Sequence, residues 1–178
     1  DHALAAQGWA RRSNSNLVRA LSEYGESVAL ARTGDTTGSL RKLDLANHWA
    51  AKPTPAEPPY LYWVTESGAM RGSTSFVYTI LGRPKDALAT ARQPKGTYSR
   101  EGAFDLIRQA VALTQMKEIP EAANKLAAAI PLMHTHSSAR LRHRFNEART
   151  ALNPWSGNAY VRALDEQLRL ATAGTEKA

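Results

Sequence analysis

The five histidines and the acids near them are the residues whose spacing comes closest to metal chemistry. His134 and His136 are two apart, His143 lies seven further on, and Glu147 follows His143 by four. An i, i+4 pair on one helical face presents two ligands to a divalent ion, but two ligands on an exposed helix make a weak site. Polar histidines in and around a loop account for the same spacing, so no metal is expected. The chain has no cysteine. That excludes disulfides, thiol nucleophiles, iron–sulfur clusters and Cys-ligated zinc. Hydrolytic and phosphoryl-transfer signatures are missing too, with no G-x-S-x-G, no H-E-x-x-H and no G-x-x-x-x-G-K-[ST]. Gly68 and Gly72 form a G-x-x-x-G, expected inside a polar helix where it allows close packing. No catalytic residue and no cofactor is expected, and the chain reads as non-enzymatic.

Charge offers another route to function. Twenty-three Lys plus Arg against 16 Asp plus Glu give a net +7 over 178 residues, a balance that suits nucleic acid, an anionic ligand or an acidic partner. Arg11 and Arg12 sit near the start, and Arg140, Arg142, Arg144 and Arg149 form a denser group with Glu147 as the only acid among them. A solvated helix face explains these arginines more simply than phosphate contact does. No apolar run approaches the ~20 residues that span a bilayer, and Ala3 to Ala6 is too short for a secretory leader. A soluble, cytoplasmic location is expected, and the start at Asp1 suggests a piece of a longer chain.

The elements that would position these residues are helical. Alanine (31) and leucine (19) far outnumber valine plus isoleucine (10), which favours helices over sheets. Three stretches align: Thr33-Gly34-Asp35-Thr36, Leu81-Gly82-Arg83-Pro84 and Met116-Lys117-Glu118-Ile119-Pro120. Each closes one helical pattern, turns, and opens another. The last two are 35 residues apart and the first two 48, with Pro53, Pro55, Pro58 and Pro59 marking an inserted loop between them. Without about a dozen loop residues the spacing returns to the ~34 of a tetratricopeptide repeat. Gly34 is expected as a left-handed helix end and Asp35 as the next N-cap, with Ser99 capping a later helix. Ser39, Ala87 and Ala122 fall at one level of the three hairpins and are small because the helices approach there. Glu23 and Glu26 fall at nominal core positions of the first hairpin. Hairpins are expected at about 14–52, 60–94 and 99–134, the second with its first helix from Thr65. A capping pair follows at about 137–171: one helix with Leu141, Phe145, Ala148 and Leu152 inward, then a stop and cap at Asn153-Pro154, then a helix with Tyr160, Leu164, Leu168 and Ala171 on one side. This is an all-α fold, an α-solenoid of antiparallel hairpins in a single domain, 1–178.

On these residues the chain resembles the C-terminal tetratricopeptide-like region of actinobacterial helix-turn-helix regulators of the XRE class. The resemblance is carried by Pro58-Pro59-Tyr60-Leu61-Tyr62-Trp63, by Leu81-Gly82-Arg83-Pro84, and by the closing pattern from Ala139-Arg140-Leu141-Arg142 through Leu152 and Pro154 to Val161-Arg162-Ala163-Leu164-Asp165. It implies the sensing and assembly part of a transcriptional regulator, with DNA read only by an upstream module. Projecting the repeat onto this chain lines a concave groove with Tyr24, Val28, Gly72, Phe76, Thr79, Ile107 and Val111, flanked by Arg71 and Arg108. Trp9, Trp49, Trp63 and Trp155 are expected to anchor packing between hairpins and loops, with Trp63 the first exception and so a member of the binding set. The binding set is therefore Tyr24, Trp63, Arg71, Phe76, Ile107 and Arg108, for a peptide or protein ligand, with a homodimer as a further possibility. A fixed protein–protein scaffold without sensing is the alternative.

Overall fold

In the computed structural model, residues 5, 8–10, 12–55, 57–65, 70–91, 100–136 and 138–175 are described. They are all-helical, with no strand among the described residues, and the chain divides into two compact units, Asp1–Arg83 and Pro84–Ala178.

The first unit is built on a hairpin of α1 (Asn16–Arg32) and α2 (Thr36–Ala50). Ser15 caps α1 by accepting from the Val18 N–H at 3.0 Å, and Asp35 caps α2 by accepting from Gly38 at 2.8 Å. Each side chain satisfies a helix-start donor that has no intrahelical acceptor. The two helices come together at Ser27 and Ser39. Each hydroxyl donates to the other residue's carbonyl, both at 2.9 Å, and neither residue is exposed. Two bulky side chains have no room there, which is why the level needs small residues. Glu23 and Glu26 sit on α1 because Lys42 of α2 lies opposite, 2.8 and 2.9 Å from their carboxylates. Burial works against the Lys42 charge, but the two glutamates outweigh it and raise its pKa above 10.5.

A 3-10 helix spans Pro59–Val64, and the helix expected from Thr65 is described as α3 over Arg71–Ile80. Residues 66–69, and with them Gly68, lie outside the described residues. Pro58 and Pro59 open the 3-10 helix, where a missing N–H costs nothing. Its Leu61 and Val64 join Leu17, Ala20, Ala46, Ala50 and Met70 in one apolar cluster, while Ala31, Leu43 and Val77 form another.

Three helix ends share one hydrogen-bond pattern. Asp35 N–H reaches Leu30 O at 3.0 Å, Arg83 N–H reaches Tyr78 O at 2.9 Å, and Glu118 N–H reaches Leu113 O at 2.9 Å. In each, the preceding residue bonds three back: Gly34 to Ala31, Gly82 to Thr79, Lys117 to Thr114. This is the Schellman closure, and it needs a left-handed residue before the last donor. That residue is Gly34 (φ 86°), Gly82 (φ 66°) and Lys117 (φ 64°). Five residues after each stand Ser39, Ala87 and Ala122, all fully buried.

The second unit contains α4 (Pro84–Thr90), α5 (Arg100–Gln115), α6 (Ile119–Thr135), α7 (Ala139–Ala151) and α8 (Ala159–Thr175). The α5–α6 pair forms the central hairpin. Helix α4 packs on α5, α7 on both central helices, and α8 on α6. Pro120 opens α6, as its position predicts, and Pro131 lies within it. Ser99 lies outside the described residues. Helix α7 is capped by Ser138 and buries Leu141, Phe145 and Ala148, with Leu152 just beyond its end, in accord with the expected face. The start of α8 is corrected in two respects. The N–H of Tyr160 bonds to the Asn158 side chain at 2.9 Å, so the polar side chain at this helix start is Asn158, with Asn153 and Pro154 in a separate 3-10 turn. Leu164 is buried and Leu168 and Ala171 pack against the core as expected, but Tyr160 is 49% exposed and Val161 takes the inward position in its place.

Candidate binding surfaces

The six residues expected to bind fall in both units. Tyr24, Trp63, Arg71 and Phe76 belong to the first, where the 3-10 helix and α3 both pack against α1. Tyr24 is half-buried and packs against both apolar clusters of that unit. Its ring is occupied with packing. Phe76 is partly exposed on α3, and Arg71 is exposed at the first residue of that helix. Trp63 is 56% exposed, beside the exposed Tyr60 and Tyr62. The 3-10 helix therefore turns Leu61 and Val64 inward and presents three large aromatic side chains outward.

That helix is set in place by a residue the sequence reading missed. Glu57, only 5% exposed, points its carboxylate at the start of α1. It accepts from the Ser15 hydroxyl, from Asn16 N–H at 2.6 Å, from Leu17 N–H at 3.2 Å, and from the N–H and hydroxyl of Thr54 at 3.1 and 3.2 Å. Asn16 Nδ2 adds a bond to Lys52 O at 2.6 Å, and the Thr54 hydroxyl reaches Asn14 O. Burial pushes this carboxyl up, but the donors from Ser15, Thr54, Leu17 and Asn16 prevail and hold its pKa below 4.5. One acid in a proline-rich stretch was the only hint in the sequence.

Ile107 and Arg108 belong to the second unit. Ile107 is 4% exposed and part of its core. This withdraws it from the groove lining, because the inward face of α5 runs through Ala103, Leu106, Ile107 and Ala110. Val111 is partly buried against the same core. Arg108 stays at the surface, 2.8 Å from Asp105, with its guanidinium 5.7 Å from the centre of the Phe104 ring. The same ring carries Arg140 of α7, also at 5.7 Å. Phe104 was not singled out in the sequence, although its i, i+4 spacing to Arg108 was a usable signal.

Of the remaining basic group, Arg149 makes a paired bond to Asp165 at 2.5 Å and Arg144 holds Glu147 at 2.9 Å. His143 also lies 3.3 Å from Glu147, both exposed. No group of three potential metal ligands occurs among the described residues, and no described helix is long and apolar enough to cross a membrane. Trp49 packs partly buried with Arg19 over its ring, and Trp155 packs against the second core. Trp9 is 73% exposed under Arg12, so it does not anchor packing as expected. No protein-family model, curated protein or solved structure matches the chain.

Proposed function

We propose that this chain is a tetratricopeptide-like α-solenoid acting as the ligand-sensing or dimerisation part of a cytoplasmic, non-enzymatic transcriptional regulator. The observation that carries the reading is the threefold recurrence of one turn, at Gly34, Gly82 and Lys117, with a buried small residue five positions after each. Repeated helical hairpins of this design form extended surfaces that hold peptides through apolar pockets and flanking charges. On the first unit Trp63 and Phe76 supply exposed and part-exposed aromatic surface and Arg71 a charge, while Arg108 is a charge on the second unit by itself. A peptide or partner protein held there would bias the spacing of upstream DNA-binding modules, to the extent that it binds one arrangement better than the other.

Direct nucleic-acid binding by residues 140–149 has less support, since Arg144 and Arg149 are already committed to acids within the chain. A fixed scaffold remains the second reading, favoured by the exposed aromatic row of the 3-10 helix. Native mass spectrometry of the chain purified from its host tests the choice. A co-purifying peptide or small molecule of defined mass, lost in both Phe76→Ala and Arg71→Ala, is the expected result. Retention of the ligand by both variants would refute the groove, and an apo monomer that captures one fixed protein would favour the scaffold.

A further inference from the structure

Arg140 differs from its neighbours on α7. Arg149 and Arg144 each have a carboxylate, and Arg142 has an interaction of its own. Arg140 has only the Phe104 ring, with no acid partner among the described residues. Arg108 approaches that ring to the same distance from α5, and Asp105 is the carboxylate that serves it. Two guanidiniums thus meet one aromatic ring, and the Asp105 carboxylate is held by Arg108. The position adds to the imbalance. Arg140 is the second residue of α7, whose first turn carries no acid, and a cation at a helix start lies at the wrong end of the dipole. Local rules broken in this way are characteristic of functional sites.

A cation–π contact uses no hydrogen bond, so Arg140 over Phe104 keeps its N–H donors for another acceptor. Those donors form a planar fork that matches carboxylate and phosphate oxygens. We propose that Arg140, held over the Phe104 ring beside the Arg108–Asp105 pair, is an anion-binding site that takes the carboxylate or phosphate group of a ligand. It deepens the proposed reading by naming the ligand chemistry near Arg108, yet it rests on the second unit alone, so its failure leaves the groove of the first unit untouched.

The test uses the full chain, ¹⁵N-labelled, at constant ionic strength. Inorganic phosphate, N-acetyl-trialanine with a free carboxylate, and the same peptide amidated are titrated separately. Binding is read at the backbone amides of residues 139–141 and at the Arg108 Nε–H. A saturable shift with phosphate or with the free acid is expected, and none with the amide; whichever anion saturates first identifies the source. Arg140→Gln, an exposed substitution whose fold is checked by circular dichroism, should weaken binding by about tenfold or more. Arg162→Gln, an exposed control on α8, should leave it unchanged. No saturable shift with either anion, or equal affinity in Arg140→Gln, overturns the site. So does binding of duplex DNA alone, lost equally in Arg142→Gln, which would make the surface a general phosphate-backbone contact.

Discussion

Replacing Glu57 by alanine removes the acceptor for five donors at once, from Ser15, Asn16, Leu17 and twice from Thr54. A hydrogen bond to a charged group contributes about 1.5–3 kcal/mol net. The five do not add, because the Thr54 donors return to water once the 51–58 segment moves away. The donors of Asn16 and Leu17 stay at a helix start and need a new partner. A loss of about 2–4 kcal/mol is expected for Glu57→Ala. Glu57→Gln keeps one acceptor oxygen but turns an NH₂ group toward donors, for a loss of about 1–2 kcal/mol. Urea unfolding followed by helix circular dichroism reads both, as a lower midpoint at unchanged slope.

The pH dependence makes the test sharper. Despite burial, the donors hold the Glu57 pKa below its ordinary 4.5. A depressed carboxyl contributes stability that is fully present above the unfolded pKa and lost as pH falls through the folded one. The difference between the wild-type chain and Glu57→Gln should therefore be constant from pH 7 down to about pH 5, and shrink below 4.5 as the wild-type carboxyl takes a proton. A difference under about 0.5 kcal/mol at pH 7, the scatter of ordinary surface substitutions, would refute the reasoning. A difference that persists unchanged at pH 3 would refute it as well, because the charge would then not be what the donors recognise.

Three further outcomes are checked by the same unfolding measurements. Lys117→Gly should stabilise the chain by about 0.5–1 kcal/mol, because glycine adopts φ near +64° without the Cβ penalty, whereas Gly82→Ala should cost about 1 kcal/mol. Ser39→Leu should cost about 3 kcal/mol or more, by forcing α1 and α2 apart and breaking the reciprocal bonds to Ser27. Lys42→Met should cost about 2 kcal/mol by removing the cation that lies against both Glu23 and Glu26. Because the Lys42 pKa is raised, the wild-type advantage is fully present below 10.5 and is lost only as pH rises through the folded value.

What the sequence revealed follows the range of the interactions. The turns at Gly34, Gly82 and Lys117 were legible because a Schellman closure is decided within six residues. The small residues at 39, 87 and 122 were legible because they keep a fixed distance from those turns. The pairing of Glu23 and Glu26 with Lys42 follows from the same geometry, although it was not drawn from the sequence. Ser27 and Ser39 lie opposite each other across the antiparallel hairpin, so Lys42, three residues after Ser39, faces Glu23, four residues before Ser27. The acids at nominal core positions marked a partner on the facing helix.

The surface residues were harder, for a different reason. A periodic pattern gives the direction of a face to within about one residue, or 100° on a helix. At that precision Tyr160 and Val161 exchange the inside for the outside, and Ile107 passes from groove to core. Glu57 lay beyond any periodic argument, because no repeat governs the path of a proline-rich loop and its partners begin forty residues earlier. Yet this loop carries the residue that fixes the start of α1 and leads directly into the exposed aromatic row. In the proposed solenoid the proline-rich insertion is the part least constrained by the repeat. It is therefore the part free to acquire a partner of its own, and the Glu57 substitutions can show whether the 3-10 helix depends on that anchor.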